Sequence, residues 1–188
     1  TITLDVATPV LNSLTVAGTL DTSASNYAVN TNNLTVNSGA TFTPNSSTIT
    51  LSGTSGTLWT QDSGINYSTV AVVVTSDASI TVFSNALVSS LSSLTVSPTI
   101  TADRTYTLGG NTVIANLSIT INPTASSAYI LTVNQSTASI TPTTLSIQGS
   151  GSATGKFDTV SYVLTAGAIT IGSGGILVGN SSTITVNN

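Results

Sequence analysis

Apolar and polar residues alternate along this chain in short runs, and one phrase keeps returning: a small polar pair followed by apolar–Thr–apolar. It stands at Asn12-Ser13-Leu14-Thr15-Val16, at Asn32-Asn33-Leu34-Thr35-Val36 and at Ser47-Thr48-Ile49-Thr50-Leu51. Related copies follow at Ile80-Thr81-Val82, Leu94-Thr95-Val96, Tyr106-Thr107-Leu108, Leu117-Ser118-Ile119, Leu131-Thr132-Val133, Leu145-Ser146-Ile147, Ile169-Thr170-Ile171 and Ile184-Thr185-Val186. A period of two marks a strand with one buried face. The first copies carry a second half behind a glycine: Gly18-Thr19-Leu20, Gly39 before Thr41-Phe42, and Gly56-Thr57-Leu58. The predicted unit is therefore strand, glycine turn, strand, polar turn, with the glycine supplying a positive φ. Units recur at an irregular spacing of roughly 12 to 22 residues, as in an imperfect array.

Two architectures accommodate short strands at such spacing. In a parallel β-solenoid (β-helix) each coil stacks on the last and buries columns of Val, Ile and Leu. In an antiparallel β-sandwich of the pilus-subunit type the strands pair through hairpins. The self-similar phrase favours the solenoid. So do the Ser, Thr, Asn and Gly of the turns, which can stack as polar ladders. We read residues 1–188 as a single all-β repeat domain, with clearer repeats over 1–100 and a more irregular stretch over 101–188. The apolar run at 160–164 is the segment best suited to a sandwich strand.

Composition sharpens this picture. Only 4% of the residues are charged, against about 25% in an ordinary soluble domain, and a stacked array has reason to avoid charge because like charges in one column repel. The exposed helix formers Lys, Glu, Gln, Arg and Met are scarce or missing, while Thr, Val and Ile abound, so helix is not expected. The bases are Arg104 and Lys156, and the net charge is −4; nucleic acid, which needs a basic surface, is excluded as a partner. No apolar run has the ~18 residues of a membrane helix, so no membrane span is expected. The chain has no Cys and starts at Thr1, which suits a processed chain or a fragment of a longer one.

Residues 11–58 resemble the repeats of large bacterial surface proteins, the adhesin-like β-strand-repeat and filamentous-haemagglutinin-type passengers. The stretches that carry the resemblance are Leu14-Thr15-Val16-Ala17-Gly18-Thr19-Leu20 and Leu34-Thr35-Val36-Asn37-Ser38-Gly39-Ala40-Thr41-Phe42. The rest of the chain is similar in composition only. The resemblance implies an extracellular or cell-surface location, a β-helical fold and a scaffold or adhesive role. It brings no catalytic residue with it.

Catalytic candidates are few. Without His, Cys or Glu there is neither a Ser–His–Asp triad nor a thiol nucleophile, and zinc lacks its usual ligands. The chain is thus not expected to be an enzyme, and no cofactor or metal is expected. The loop from Gly149 to Lys156 imitates a phosphate-binding loop but has Ser150 where glycine is required and Phe157 where Ser or Thr is required. Thr-x-Thr pairs such as Thr48–Thr50 and Thr105–Thr107 suggest an ice-binding face, but the irregular spacing predicts that their rows do not align.

Three candidate surfaces remain. Trp59 is read first as a core residue capping a coil end, and Trp59, Gln61, Asp62 and Tyr67 are the residues that could otherwise hold a glycan by ring stacking and hydrogen bonds. Asn33, Asn45, Asn66, Asn116, Asn134 and Asn180 head Asn-x-Ser/Thr sequons open to glycosylation. Ile2, Leu4, Ile184 and Val186 lie in strand phrases at the two ends, where an unblunted β edge invites another copy. The expected function is a structural subunit of a self-assembling surface fibre or scaffold, its partner being itself, head to tail. The alternative is an adhesin segment or carbohydrate-binding module that takes surface glycans.

Overall fold

The computed structural model describes residues 1–62, 65–84, 88–109, 117–135 and 139–187. It is an all-β parallel solenoid whose longest sheet stacks eight strands. Every strand pair among the described residues is parallel, which discards the antiparallel sandwich. The cause lies in the phrase itself: Thr and branched apolar residues in alternation fit a pleated surface. A strand too short to stand alone is completed by identical strands above and below.

Each turn has three sides. Sheet I runs through Leu14–Val16, Leu34–Val36, Thr57–Gln61, Ile80–Ser84, Arg104–Thr107, Ile130–Asn134, Thr154–Asp158 and Gly175–Val178. Sheet II runs through Val29–Thr31, Thr48–Leu51, Ile65–Val74, Val88–Val96, Ser118–Ile121, Thr144–Ile147 and Ala168–Ile171. The third side is more broken. It begins with Ile2–Thr3, Thr19–Asp21 and Thr41–Thr43, and ends with Leu164–Ala166 beside Ile184–Val186. Between them Ile65–Val74 and Val88–Val96 bend from the third side into sheet II, with register shifts at the bend. Both long sheets pass through residues 101–188, so the weaker repetition there reflects the corners and not a second architecture.

Ile2 lies opposite Leu20 and Arg104 opposite Leu131 on successive rungs, so a turn takes between 18 and 27 residues. The spacing expected from sequence is shorter because the phrase serves both long sheets: Leu34-Thr35-Val36 lies in sheet I and Ile49-Thr50-Leu51 in sheet II of the next turn. The variation is absorbed at the corners. Residues 160–163, read as part of an apolar strand, form one such corner: Val160 has φ 52° and is exposed, as is Val163. Gly39 and Gly56 take the positive φ that their turns were expected to need, whereas Gly18 does not.

Inside, the sheet II column Val29, Ile49, Val72, Leu94, Ile119 and Leu145 is buried throughout. Each such side chain contributes about 1.5–3 kcal/mol relative to exposure. Polar ladders stack at the corners as expected: Asn32 donates to the Asn12 side-chain oxygen at 3.2 Å, and Ser52 donates to that of Asn32 at 2.9 Å.

Candidate functional site: the two open ends

The fold brings the four residues singled out at the ends to opposite rims of the coil. At one rim, Ile2–Thr3 pairs with Thr19–Asp21 and is the outer strand of its sheet. Ile2 is 66% exposed, and Leu4 is half-buried with its N–H on the Asp21 carbonyl at 2.8 Å. Leu14–Val16 is the outer strand of sheet I at the same rim. Between these strands opens a cleft of about 220 Å³ whose apolar lining includes Ile2, Leu14, Val16 and Leu20. At the other rim, Ile184–Val186 pairs only with Leu164–Ala166, and Gly175–Val178 and Ala168–Ile171 are the outer strands of the long sheets. Ile171, Ile184 and Val186, which continue the inward positions of Ile147, Leu164 and Ala166, are all exposed there. Columns buried mid-coil therefore reach solvent at both rims. The second rim shows an outward strand edge on each long sheet and on the third side; at the first rim sheet I and the third side do, whereas Val29–Thr31 of sheet II is covered by residues 8–11, Thr8 and Leu11 donating their N–H groups to the Ala28 and Asn30 carbonyls.

The residues gathered around Trp59 behave differently from a sugar platform. Trp59 is fully buried. Its indole N–H donates to Gln61 Oε1 at 3.2 Å, and Gln61 is itself buried. Phe42 meets the indole edge-on at 6.3 Å, Tyr67 stacks on it at 6.1 Å, and Phe83 of the next turn lies 6.2 Å away. The expectation of a glycan stacked on Trp59 is corrected accordingly: no face of this ring is open, and Trp59 is a core residue. Gln61 and Tyr67 are joined to it, whereas Asp62 is exposed to solvent. Tyr67 is half-buried and, with Phe42, Pro44, Asn45 and Thr69, lines a shallow surface depression.

No protein-family model, curated protein or solved structure matches the chain.

Three of the sequon asparagines already use the nitrogen that a glycan would take. Asn33 donates to the Thr57 carbonyl at 2.8 Å. Asn45 and Asn180 each bridge back to an Asp of the preceding turn, Asn45 to Asp21 at 2.9 Å and Asn180 to Asp158 at 2.6 Å. In both cases that Asp oxygen also caps the turn, accepting from the N–H of Ser23 or of Val160. Asn134 lies in a strand paired on both sides. Asn66 lies in the strand Ile65–Val74, and Asn116 is outside the described residues. Both cations are spent locally as well: Arg104 pairs with Asp77 at 2.8 Å and Lys156 with Asp158 at 3.2 Å.

Tyr106 escaped notice as a special residue, though its place between Arg104 and Leu108 put it on the inward face. It is fully buried and donates its hydroxyl to the Ser76 carbonyl. Burial pushes this phenol far up, against the smaller opposing effect of its hydrogen bond to Ser76, and burial likewise raises Tyr67 against its bond to Gln61. A phenol whose folded pKa lies above its unfolded value contributes stability that is fully present below about pH 10 and is lost as pH rises through the folded pKa. In a base titration followed by tyrosinate absorbance, Tyr106 and Tyr67 are therefore expected to ionise only as the circular dichroism of the coil collapses. Ionisation of all five tyrosines ahead of unfolding would contradict their placement.

Proposed function

We propose that the chain is a structural, non-catalytic protein of an extracellular fibre or cell-surface scaffold, and that it assembles with itself head to tail. The observation that carries this reading is the pair of open rims. Apolar residues and outward parallel strand edges lie at both ends, on sheet I and the third side of one coil. Unpaired edges of this kind are templates for further strands. A contact between two different rims is heterologous and so extends without closing. The resemblance of residues 11–58 to bacterial adhesin-type repeats supports a surface location. The near-absence of charge supports stacking, because a new rung brings no like-charge repulsion.

Electron microscopy of the purified chain at neutral pH tests it. Filaments one coil wide are expected, with an axial rise of about 40 Å per subunit, eight strand spacings of about 4.8 Å. Ile2→Lys or Ile184→Lys places an ammonium in a rim and is expected to leave monomers with an unchanged β-sheet spectrum. If the parent chain stays monomeric at high concentration, self-assembly is wrong for this chain, and an adhesin segment of a longer protein becomes the better reading.

A further inference from the structure

The outer surface of sheet II is a two-row lattice. From Thr48 to Ile171 successive strands pair in unbroken register, with the shifts of the third side lying before Ser93. One outward row reads Thr50, Val73, Thr95, Thr120, Ser146 and Thr170. The parallel row from Thr48 to Ala168 holds only Thr, Ser and Ala. All of these side chains are exposed or half-buried. The irregular sequence spacing predicted that such rows would not align. The Thr-x-Thr pairs do stand apart, Thr48–Thr50 on sheet II and Thr105–Thr107 on sheet I, but the outward positions of sheet II align, because length varies at the corners while the strands keep register.

The composition of the rows restricts what can bind. Neither row contains a charged or aromatic residue, whereas both ion pairs of the described residues involve sheet I strands, through Arg104, Lys156 and Asp158. A charged ligand finds no counter-charge on this face, and a sugar finds no ring to stack on. A second copy laid face to face would cover little: six strand spacings by two rows is roughly 300–400 Å² per partner, against the ~800 Å² of a stable interface. What the face does offer is repetition. Rungs lie about 4.8 Å apart across the strands and the two rows about 6.6 Å apart along them; a hydroxyl stands at every position except Val73, Ala71 and Ala168, and β-branching holds each threonine to few rotamers. Those two repeats lie close to the spacing of water oxygens on a face of hexagonal ice. A neutral lattice whose groups each bind weakly is suited to a partner that is itself a lattice.

We propose that this face of sheet II binds ice. The test is ice shaping and thermal hysteresis with the purified chain. Faceted crystals and a hysteresis that grows with concentration are expected. Thr120→Tyr, in the middle of the array, is expected to cut the hysteresis several-fold, while Thr132→Tyr on the outer surface of sheet I leaves it unchanged. Circular dichroism and Trp59 emission show that each variant is folded. Three results overturn the proposal: a folded parent chain that neither shapes ice nor slows its growth, equal loss in both variants, or retention on crystalline cellulose or chitin without any effect on ice.

Discussion

Trp59→Ala is expected to lower the stability of the coil by about 3–5 kcal/mol, the usual cost of truncating a large buried aromatic. The site cannot collapse easily. Phe42, Tyr67 and Phe83 surround the indole from neighbouring strands, and each is fixed by the ladder on either side of it. Gln61 Oε1 also loses its indole donor. Trp59→Phe keeps the ring contacts and drops that hydrogen bond, and is expected to cost far less, about 1 kcal/mol for the bond plus the lost ring area. The urea midpoint, followed by circular dichroism because the sole tryptophan is gone, is the measurement. Equal midpoints for the parent and the alanine variant would mean that Trp59 is not in the core.

Gly109→Ala is expected to be almost as damaging although it adds a single methyl. Gly109 has φ 81°, and a Cβ there would overlap the backbone carbonyl of Phe83 in the preceding turn. The obstacle is main chain, which cannot rotate aside. The methyl must either force a left-handed alanine, at about 1–2 kcal/mol, or push two rungs apart, at about 1–3 kcal/mol for overpacking. A total of about 2–5 kcal/mol follows if both occur. Gly56→Ala is the control, since it shares the positive φ but has open space around its Cβ, and it should show the backbone cost alone. The difference between the two urea midpoints isolates the clash.

The fold was legible because its signal is local. Ile49-Thr50-Leu51 states by itself which side is wet and which is dry, and scarce charge states that the strands can stack in kind. That Trp59 belongs to the core was the preferred reading of the sequence; the way Thr57–Gln61 buries it was not legible, for a physical reason. In Thr57–Gln61 both Leu58 and Trp59 are buried, so alternation breaks, and read from Leu58 the rule sends Trp59 outward. The break survives because the next turn repeats it in register, with Val82 and Phe83 both buried beneath the same pair of sheets. Only the neighbouring turn explains it, and a single segment does not announce its neighbour. The alignment of the outward threonines was hidden likewise: counting residues between Thr50, Thr95 and Thr120 mixes strand with corner, and the corner carries all the irregularity. The open rims were anticipated through Ile2, Leu4, Ile184 and Val186, yet the cleft between Ile2 and Leu14 depends on two sides of the coil meeting and has no sequence mark.

Turns of 20 and of 27 residues carry the same ladder. Strand spacing and residue count are thus decoupled in this molecule: the strands act as fixed treads, and the corners as slack that can be lengthened or shortened without disturbing the tread above. A short peptide grafted into the exposed corner at Val160 and Ser161 would ride outside the coil at a fixed height along its axis. A stack of such coils would then display the graft at regular intervals, making the corner an addressable point on a molecular ruler.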